Sequence, residues 1–333
     1  MITSDTKELA LELEEVRQCP LCSGEKAVTV QQLDRFIYKK CLDCGLVRLS
    51  NRVVEEQLSA IYGDAYPQPK IEMRLPMFNS RKAILERFIK PGQERRFFEL
   101  GCGDGSFLAY LQKQGWQVDG SEYSSSSVAA IAARFGLTIR QGSAEDLAGQ
   151  LAPQSMLGFY HVLEHVYHLH DFMAAVEQLV LPGGLIHIQV PNIASLDIKL
   201  FGKYTKIWTV PQHVQLFSPD TLQQLLKMHS FEIVKQGMYD PWYSPGIVRE
   251  GFIRRGQASL FKWDDQRLLC MGVSGETANY VTANEEKSRL SLPRPIYKLL
   301  KMGLYKSSEA LAHLEARFNR GNVIDLVARK SVI

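Results

Sequence analysis

Two Cys-x-x-Cys pairs near the start of the chain have the spacing of a metal site. Cys19 and Cys22 form one pair, Cys41 and Cys44 the other, and eighteen residues lie between them. Zinc prefers a tetrahedral set of soft ligands, and four-thiolate zinc sites typically have this spacing. Gly45 follows the second pair, where a tight turn around a metal favours glycine. We therefore predict one structural zinc ion bound by the four cysteines.

Other interpretations of these cysteines agree less well with their surroundings. Disulfides are rare in proteins without an export signal, ferredoxin-type iron–sulfur motifs are more compressed, and neither pair lies in the βαβ context of a redox dithiol. Residues 27–33 and 35–39 alternate in polarity like two strands of a ribbon. A segment of about 60 residues builds little core, so the metal would drive its folding.

A glycine-rich loop follows an apolar strand in the middle of the chain. Residues 96–100, with Glu99 near the end, lead into Gly101-Cys-Gly103-Asp-Gly105 and then a helix over 106–114. Alternate glycines let a ligand approach the backbone, and the helix start presents free amides. The spacing differs from the G-x-G-x-x-G of dinucleotide sites, and no Walker lysine follows. The acid suits the amino group of a methionine moiety better than a pyrophosphate.

The ends of the next two predicted strands add features of a nucleoside site. Glu122 ends the second strand, where an acid accepts hydrogen bonds from ribose hydroxyls. In the turn after the third strand, Ala144 leaves room for an adenine, and Glu145 or a backbone amide could bind its exocyclic amine. An NAD enzyme or a kinase-like nucleotide site is the alternative interpretation.

Histidines gather where the fourth predicted strand, residues 156–160, ends. His161, Glu164 and His165 would share one face of a helical turn. The favoured interpretation for Glu164 and His165 is structural hydrogen bonding, with His161 lining the cofactor pocket. General-base catalysis by His161 or His165 is a second interpretation. A metal site is the third, and it would need a further ligand such as His213.

His213 lies just before a helix whose start is marked by Ser218 as cap and Pro219 at the first position. It also lies near the long irregular segment after the fifth strand, where open α/β folds place substrate. We predict His213 first and His165 second as the residues that act on an acceptor. A role in fixing the loop is the alternative for His213.

These segments together resemble the class I S-adenosylmethionine-dependent methyltransferases, in the group with an N-terminal zinc ribbon found among sugar, quinone and natural-product methyltransferases. The resemblance is carried by Glu99–Gly105, Glu122, Ser143–Asp146, His161–His165, Leu181–Gly184, Val190–Asn192 and His213–Asp220. One departure is the start of strand four, where Gln154-Ser-Met replaces the usual aspartate. The resemblance implies methyl transfer to a small-molecule oxygen, carbon or nitrogen. The residues expected to bind S-adenosylmethionine are Glu99, Gly101, Gly103, Gly105, Glu122, Ala144, Glu145 and His161.

The elements that position these residues predict an α/β fold. It is a Rossmann-like doubly wound sheet with an antiparallel last strand over 322–330, preceded by the small four-cysteine zinc ribbon. A Pro/Gly-rich segment over 62–69 separates a ribbon module, 1–65, from a methyltransferase domain, 66–333. A helix over 79–88 is expected after this segment, and residues 239–290 show no clear period. A basic amphipathic helix beginning at Pro295 is expected to cover a sheet, with peripheral membrane contact as the alternative, and a second helix is expected over 308–318.

Bulk composition narrows the class of protein. With 333 residues, 45% hydrophobic content and a formal charge of +3, the chain is typical of a globular protein and has no excess of positive charge for nucleic acid. The acidic N-terminus and the lack of an apolar run of about 18–20 residues predict a cytoplasmic location. We expect a small-molecule acceptor rather than nucleic acid, and the oligomeric state stays open.

Two rival functions differ in class from a small-molecule methyltransferase. One is an RNA-modifying methyltransferase that uses the ribbon to bind nucleic acid, which a basic face on the ribbon would support. The other is a non-catalytic protein that binds S-adenosylmethionine, because fold alone does not decide function. The ribbon's basic residues are Arg35, Lys39, Lys40, Arg48 and Arg52.

Overall fold

A computed structural model describes residues 11–58, 70–261 and 294–332. Its first segment forms five short strands: β1 (Leu13–Glu15), β2 (Ala27–Leu33), β3 (Phe36–Cys41), β4 (Val47–Leu49) and β5 (Asn51–Val53). Strands β2 and β3 are antiparallel, as the ribbon pattern predicts, and β4 pairs with β3. The predicted linker over 62–69 and the boundary at residue 65 lie outside the described residues.

A seven-stranded sheet forms the centre of the molecule. The remaining strands are β6 (Arg96–Leu100), β7 (Gln117–Glu122), β8 (Arg140–Gln141), β9 (Gln154–Tyr160), β10 (Val180–Pro191), β11 (Gln215–Leu216), β12 (Phe231–Gly237) and β13 (Val323–Lys330). The sheet order is β12-β13-β10-β9-β6-β7-β8, and β13 is antiparallel to both neighbours. The predicted fold class, including its antiparallel last strand, is confirmed.

Helices lie between the strands, as expected for a doubly wound sheet. They are α1 (Ile71–Glu86), α2 (Ser106–Lys113), α3 (Ser125–Phe135), α4 (Ala144–Leu147), α5 (Leu169–Leu179), α6 (Leu196–Phe201), α7 (Pro219–Met228), α8 (Tyr243–Phe261) and α9 (Arg294–Arg317). Their ends follow local chemistry. The Ser124 side chain caps α3 and Gly136 ends it with a φ of 66°, while Ser218 and Thr221 form a capping box on α7.

Three helical predictions differ from the structure. Helix α1 begins at Ile71 rather than near Asn79, and the two predicted C-terminal helices are the single helix α9. The aperiodic region contains α8, whose buried positions include Ser244, Val248 and Arg254. Because small, apolar and charged residues share that buried face, no hydrophobic stripe marks the helix in the sequence.

Helix α9 packs on α8. Ala312 of α9 lies in a buried cluster with Phe201 of α6 and Val248 of α8. None of the helices in the described ranges is both long and apolar enough to cross a bilayer.

The ribbon and the central domain share a sheet. Strand β11 follows the segment that contains His213. It pairs antiparallel with β4, giving the order β11-β4-β3-β2. The Leu49 amide donates to the Val214 carbonyl at 2.9 Å, and the fully buried Tyr38 donates its hydroxyl to the His213 carbonyl at 2.8 Å. The ribbon therefore holds the backbone of the segment that carries His213.

We expect Tyr38→Phe to lower the free energy of unfolding by about 1 kcal/mol, because the His213 carbonyl loses its donor. Tyr123→Phe is the matched control, since Tyr123 is 66% exposed and should change stability by less than about 0.5 kcal/mol. Urea unfolding at constant metal content measures both. Equal stabilities of the two variants would contradict a role for this hydrogen bond.

Candidate functional site

The glycine loop lies between β6 and α2 and has one open position. Gly101, Gly103 and Gly105 have φ angles of 63°, 59° and 68°, in the left-handed region that favours glycine. A Cβ atom on Gly101 would lie 2.8 Å from Val162 Cγ2, and one on Gly105 would lie 2.8 Å from Ile131 Cγ2. At Gly103 a Cβ would meet nothing within 4 Å. The backbone at Gly103 is therefore accessible to a ligand.

Glu99 is a buried acid at the end of β6 with an unsatisfied oxygen. Its side chain is 4% exposed, and its Oε2 atom has no hydrogen-bond partner. Burial raises the pKa of Glu99 to about 8, although the neighbouring Arg81 and Arg74 act in the opposite direction. A buried carboxylate needs a positive partner. The ammonium group of the predicted cofactor would supply one.

Glu122 connects the end of β7 to the glycine loop. Its carboxylate accepts backbone hydrogen bonds from Gly103 at 2.8 Å, Tyr123 at 2.9 Å and Ser124 at 3.2 Å. Burial nevertheless raises the pKa of Glu122 above its ordinary value. Two carboxylate oxygens offer about four acceptor positions, so ribose hydroxyls could still bind there.

The predicted adenine turn is formed at the start of α4. Ala144 is buried, whereas Glu145 is exposed. Ser143 and Asp146 form a capping box, so the Asp146 carboxylate is committed to the helix start. The turn thus leaves Glu145 and the backbone as its groups available to a base.

Sequence reasoning missed a clamp on the glycine loop. The Asp104 carboxylate accepts two hydrogen bonds from Arg74, at 3.2 Å and 2.6 Å, and one from the Ser106 hydroxyl at 2.7 Å. Arg74 lies in the first turns of α1, which the sequence pattern left outside the predicted helix. Its pairing partner could not be found without knowing that α1 crosses this loop.

A buried polar network, also missed, lies behind the same strands. Arg81 donates to Gln189 Oε1 at 2.9 Å and 2.6 Å, and Gln189 donates to Asp325 Oδ1 at 3.0 Å. His187 lies 2.7 Å from Asp325 Oδ1 through Nε2 and 2.9 Å from the Tyr160 hydroxyl through Nδ1. The network links α1, β9, β10 and β13, and it places the Arg81 charge near the buried acid of β6.

The His-x-x-Glu-His segment forms a tight turn rather than a regular helix. His161 has a left-handed φ of 57°, and the single 3-10 turn covers Leu163–His165. The His161 Nδ1 atom lies 3.2 Å from Glu164 Oε1, and its ring centroid lies 4.0 Å from that of Tyr243. The His161 Nε2 atom and the Glu164 Oε2 atom are buried without hydrogen-bond partners.

The structure brings the two predicted acceptor-side histidines together. The ring centroids of His165 and His213 lie 4.9 Å apart. Burial lowers the pKa of both, and that of His213 to about 3, so both rings are neutral at physiological pH. Through Val162, which packs over Gly101, the same turn adjoins the glycine loop. A polar cluster therefore lies beside the glycine loop.

Burial alone would raise the pKa of Glu164. The hydrogen bond from His161 and the electrostatic interaction with His161 are the largest effects that oppose burial, and the pKa of Glu164 is held below its ordinary value. Glu164 therefore stays a carboxylate in the middle of the cluster.

The four cysteines form one group with unbonded sulfurs. The Sγ atoms of Cys19 and Cys44 lie 3.5 Å apart, and those of Cys22 and Cys41 lie 3.6 Å apart. A disulfide would need about 2.05 Å. Sulfurs around a tetrahedral zinc, each at about 2.3 Å, lie about 3.8 Å from one another, which agrees with the observed spacing.

Two of the ribbon's arginines are engaged within the protein. Arg48 is 2% exposed and donates to the Arg17 carbonyl at 2.7 Å. Arg52 pairs with Glu14 at 2.6 Å and lies 4.1 Å from the centroid of the Tyr167 ring. Two of the charges that would favour nucleic acid are thus used inside the protein.

Three comparisons with known proteins report methyltransferases among the proteins similar to this chain. A family model described as a methyltransferase domain matches residues 73–236. The ubiquinone biosynthesis O-methyltransferase of Caulobacter sp. (strain K31) is 28% identical over 183 residues, covering 50% of this chain and 72% of that protein. A probable S-adenosylmethionine-dependent methyltransferase of Mycolicibacterium smegmatis is 24% identical over 157 residues, covering 47% and 59%. A solved SAM dependent methyltransferase from Archaeoglobus fulgidus aligns with a TM-score of 0.43 and 17% identity, over 76% of this chain and 94% of that chain.

The raised pKa of Glu99 predicts pH-dependent binding of S-adenosylhomocysteine. An ammonium group pairs with the carboxylate form, so affinity should rise by up to about tenfold per pH unit and level off above a pH of about 8. Without cofactor, the same shift favours the folded state at low pH, and that stability is lost as pH rises from 4.5 to about 8.

Calorimetric titration at several pH values measures this effect. Glu99→Gln should remove the pH dependence and weaken binding by about 1.5–3 kcal/mol. Glu94→Gln is the control, because Glu94 is exposed and pairs with Arg96 at 3.4 Å. A wild-type affinity that does not change with pH would contradict the prediction.

Proposed function

We propose that this chain is a class I S-adenosylmethionine-dependent methyltransferase that methylates a hydroxyl oxygen of a small-molecule acceptor. The observation that carries the proposal is the packing of Val162 over Gly101, which sets a cluster of histidines and a carboxylate against the cofactor loop. Hydroxyl acceptors need such groups, because a neutral hydroxyl is a weak nucleophile. The O-methyltransferase activity named for the Caulobacter relative agrees with this acceptor chemistry.

The proposed cofactor placement follows the strand ends. Glu99 would hold the amino group, Glu122 the ribose hydroxyls and the turn at Ala144 and Glu145 the adenine. His161 would line the methionine end, and the backbone at Gly101, Gly103 and Gly105 would face the cofactor directly. When bound, S-adenosylmethionine supplies an electrophilic methyl group on a sulfonium. The chain's part is to hold the acceptor in line at about 3–3.5 Å from that group.

The acceptor side is assigned to His213, with His165 as its neighbour. Both rings are neutral, so each offers a lone pair rather than a proton to an acceptor hydroxyl. Their Nδ1 atoms face backbone carbonyls at 2.9 Å, so Nδ1 carries the proton and Nε2 is the basic atom of each ring. We propose these two as the catalytic residues.

An RNA acceptor is disfavoured by the ribbon itself. Its sheet edge is completed by β11, and Arg48 and Arg52 are engaged inside the protein. Nucleic-acid binding relies on exposed Lys and Arg that neutralise phosphates. A small acceptor in the cleft therefore accounts better for the site.

We further propose a structural zinc on Cys19, Cys22, Cys41 and Cys44, and with it a cytoplasmic location, because reduced thiolates persist in a reducing compartment. The division into a ribbon, 1–65, and a methyltransferase domain, 66–333, then separates a metal-folded segment from a sheet-folded one. Strand β11 links the two, so zinc would also support the segment that carries His213.

The function is tested by methyl incorporation from labelled S-adenosylmethionine into a panel of sugar, quinol, phenol and amine acceptors and into RNA. We expect label in O-methyl products. His213→Ala should reduce turnover by roughly 100- to 10,000-fold, because the acceptor hydroxyl loses its activating group, while S-adenosylhomocysteine affinity is unchanged.

His168→Ala is the matched control and should keep wild-type turnover, since its exposed ring contacts Glu55 at 3.0 Å, away from the cluster. Label found only in amines or RNA would contradict the proposed acceptor. Turnover of His213→Ala within a few-fold of wild type would contradict a catalytic role and show that His213 only fixes the loop.

Elemental analysis tests the ribbon zinc. We expect Cys41→Ser to lose this zinc, because a three-thiolate remnant is no longer a closed tetrahedral site, and to expose the ribbon to proteolysis. Cys102→Ser is the control, since Cys102 is a buried thiol outside the group and should keep the zinc. Full zinc content in Cys41→Ser would refute the assignment.

A further inference from the structure

A second group of potential metal ligands exists in the described part of the chain, apart from the four cysteines. Glu164, His165 and His213 each offer one ligand atom, and these atoms all lie within 4.8 Å of one another. The residues come from two loops, and the Val214 amide donates to the Glu164 carbonyl at 2.9 Å. The backbone therefore fixes the three side chains as one group.

The histidine tautomers suit metal binding. His165 Nδ1 lies 2.9 Å from the Gln212 carbonyl, and His213 Nδ1 lies 2.9 Å from the Ile207 carbonyl. A carbonyl only accepts hydrogen bonds, so each Nδ1 carries the proton and each neutral ring has its lone pair on Nε2. Metal-binding histidines are oriented in the same way, by a hydrogen bond from the other ring nitrogen.

The carboxylate is buried and lacks a full set of partners. Glu164 is 0% exposed, its Oε1 atom lies 3.2 Å from His161 Nδ1, and its Oε2 atom has no hydrogen-bond partner. Burying a carboxylate is costly unless a positive charge or donors compensate. An ion between Glu164 and the two imidazoles would provide that compensation, with His161 as the residue that positions the carboxylate.

We propose that Glu164, His165 and His213 bind a divalent transition-metal ion such as Zn²⁺, Mn²⁺ or Fe²⁺. Two imidazoles and one carboxylate favour these ions over Mg²⁺ and Ca²⁺, which prefer oxygen ligands. Ligands at about 2.1 Å in tetrahedral geometry lie about 3.4 Å apart. Side-chain rotations of roughly an ångström would bring the three atoms to that spacing.

Three protein ligands leave at least one coordination position open, as in catalytic metal sites. This step rests on the proposed function: the acceptor hydroxyl would take the open position, where a cation favours its deprotonated, nucleophilic form. The proton leaves to solvent, the oxygen–carbon bond forms, and the carbon–sulfur bond breaks. His213 and His165 would then act on the acceptor through the ion.

The test measures metal binding by the full chain, independently of methyl transfer. Cobalt(II) is the probe, because thiolate ligands add strong charge-transfer bands to its spectrum and imidazole or carboxylate ligands do not. We expect wild-type protein to bind a second cobalt ion whose spectrum lacks the thiolate bands. Glu164→Gln and His213→Ala should each weaken that binding by at least about 100-fold, since even partners of ligands contribute about 10- to 100-fold.

His168→Ala is again the control and should bind the second ion normally. S-adenosylhomocysteine titration shows whether each variant is folded, and if one ligand variant does not fold, the other decides. Wild-type protein that binds cobalt only through thiolates would overturn the site, as would unchanged cobalt affinity in His213→Ala.

Measurements of methyl transfer distinguish the proposed metal site from the proposed O-methylation. A second ion in a protein that methylates no hydroxyl acceptor would support the metal site and contradict the proposed O-methylation. Methyl transfer lost on chelation and restored by Zn²⁺ or Mn²⁺, with the ribbon zinc retained, would support both. O-methylation that survives complete removal of the second ion would overturn the ion's role at the acceptor.

Discussion

The hydrogen bond from the Val214 amide to the Glu164 carbonyl, at 2.9 Å, joins the two loops on which the acceptor side depends. One loop leaves β9 and is held against the glycine loop by Val162. The other leads into β11, which completes the ribbon's sheet through β4. This backbone contact, together with the hydrogen bonds from the Gln215 side chain to the Leu163 and Val166 carbonyls, connects the loop beside the glycine loop with the ribbon. The ribbon is accordingly part of the framework of the proposed site, because its folding fixes where this second loop can lie.

Buried charge is balanced around the cleft by groups that are distant in sequence. Arg81 of α1 reaches Gln189 of β10, and Gln189 reaches Asp325 of β13. Each member of this chain of hydrogen bonds would be costly to bury alone. The network brings Arg81 near Glu99, where its charge opposes the effect of burial on the Glu99 carboxyl. The protein therefore keeps a buried acid at the end of β6, where we propose that the ammonium group of the cofactor binds.

Local chemistry made much of the fold and of the cofactor site predictable from the sequence. The glycine loop, Glu99, Glu122 and the cap at Ser218 depend on residues close together in the chain, and the structure forms each element where the pattern places it. Features that depend on distant partners could not be predicted. The Arg74–Asp104 clamp and the β4–β11 pairing carry no periodic signal, and α8 is buried on a mixed face. His213 could be placed just before a capped helix from the sequence, but its hydrogen bonds to Tyr38 and Ile207 are visible only in three dimensions.

The two groups of potential metal ligands differ in ways that suit different tasks. Four thiolates in a closed arrangement exclude solvent and bind soft ions tightly, whereas a carboxylate with two imidazoles leaves coordination positions for another molecule. Exchange of the ion in the open group would not disturb the closed group, because they share no ligand. The reverse does not hold. Loss of the ribbon's fold would release β11 and the His213 segment, and with them one ligand of the open group. The proposed ribbon site is therefore a structural precondition of the proposed open site.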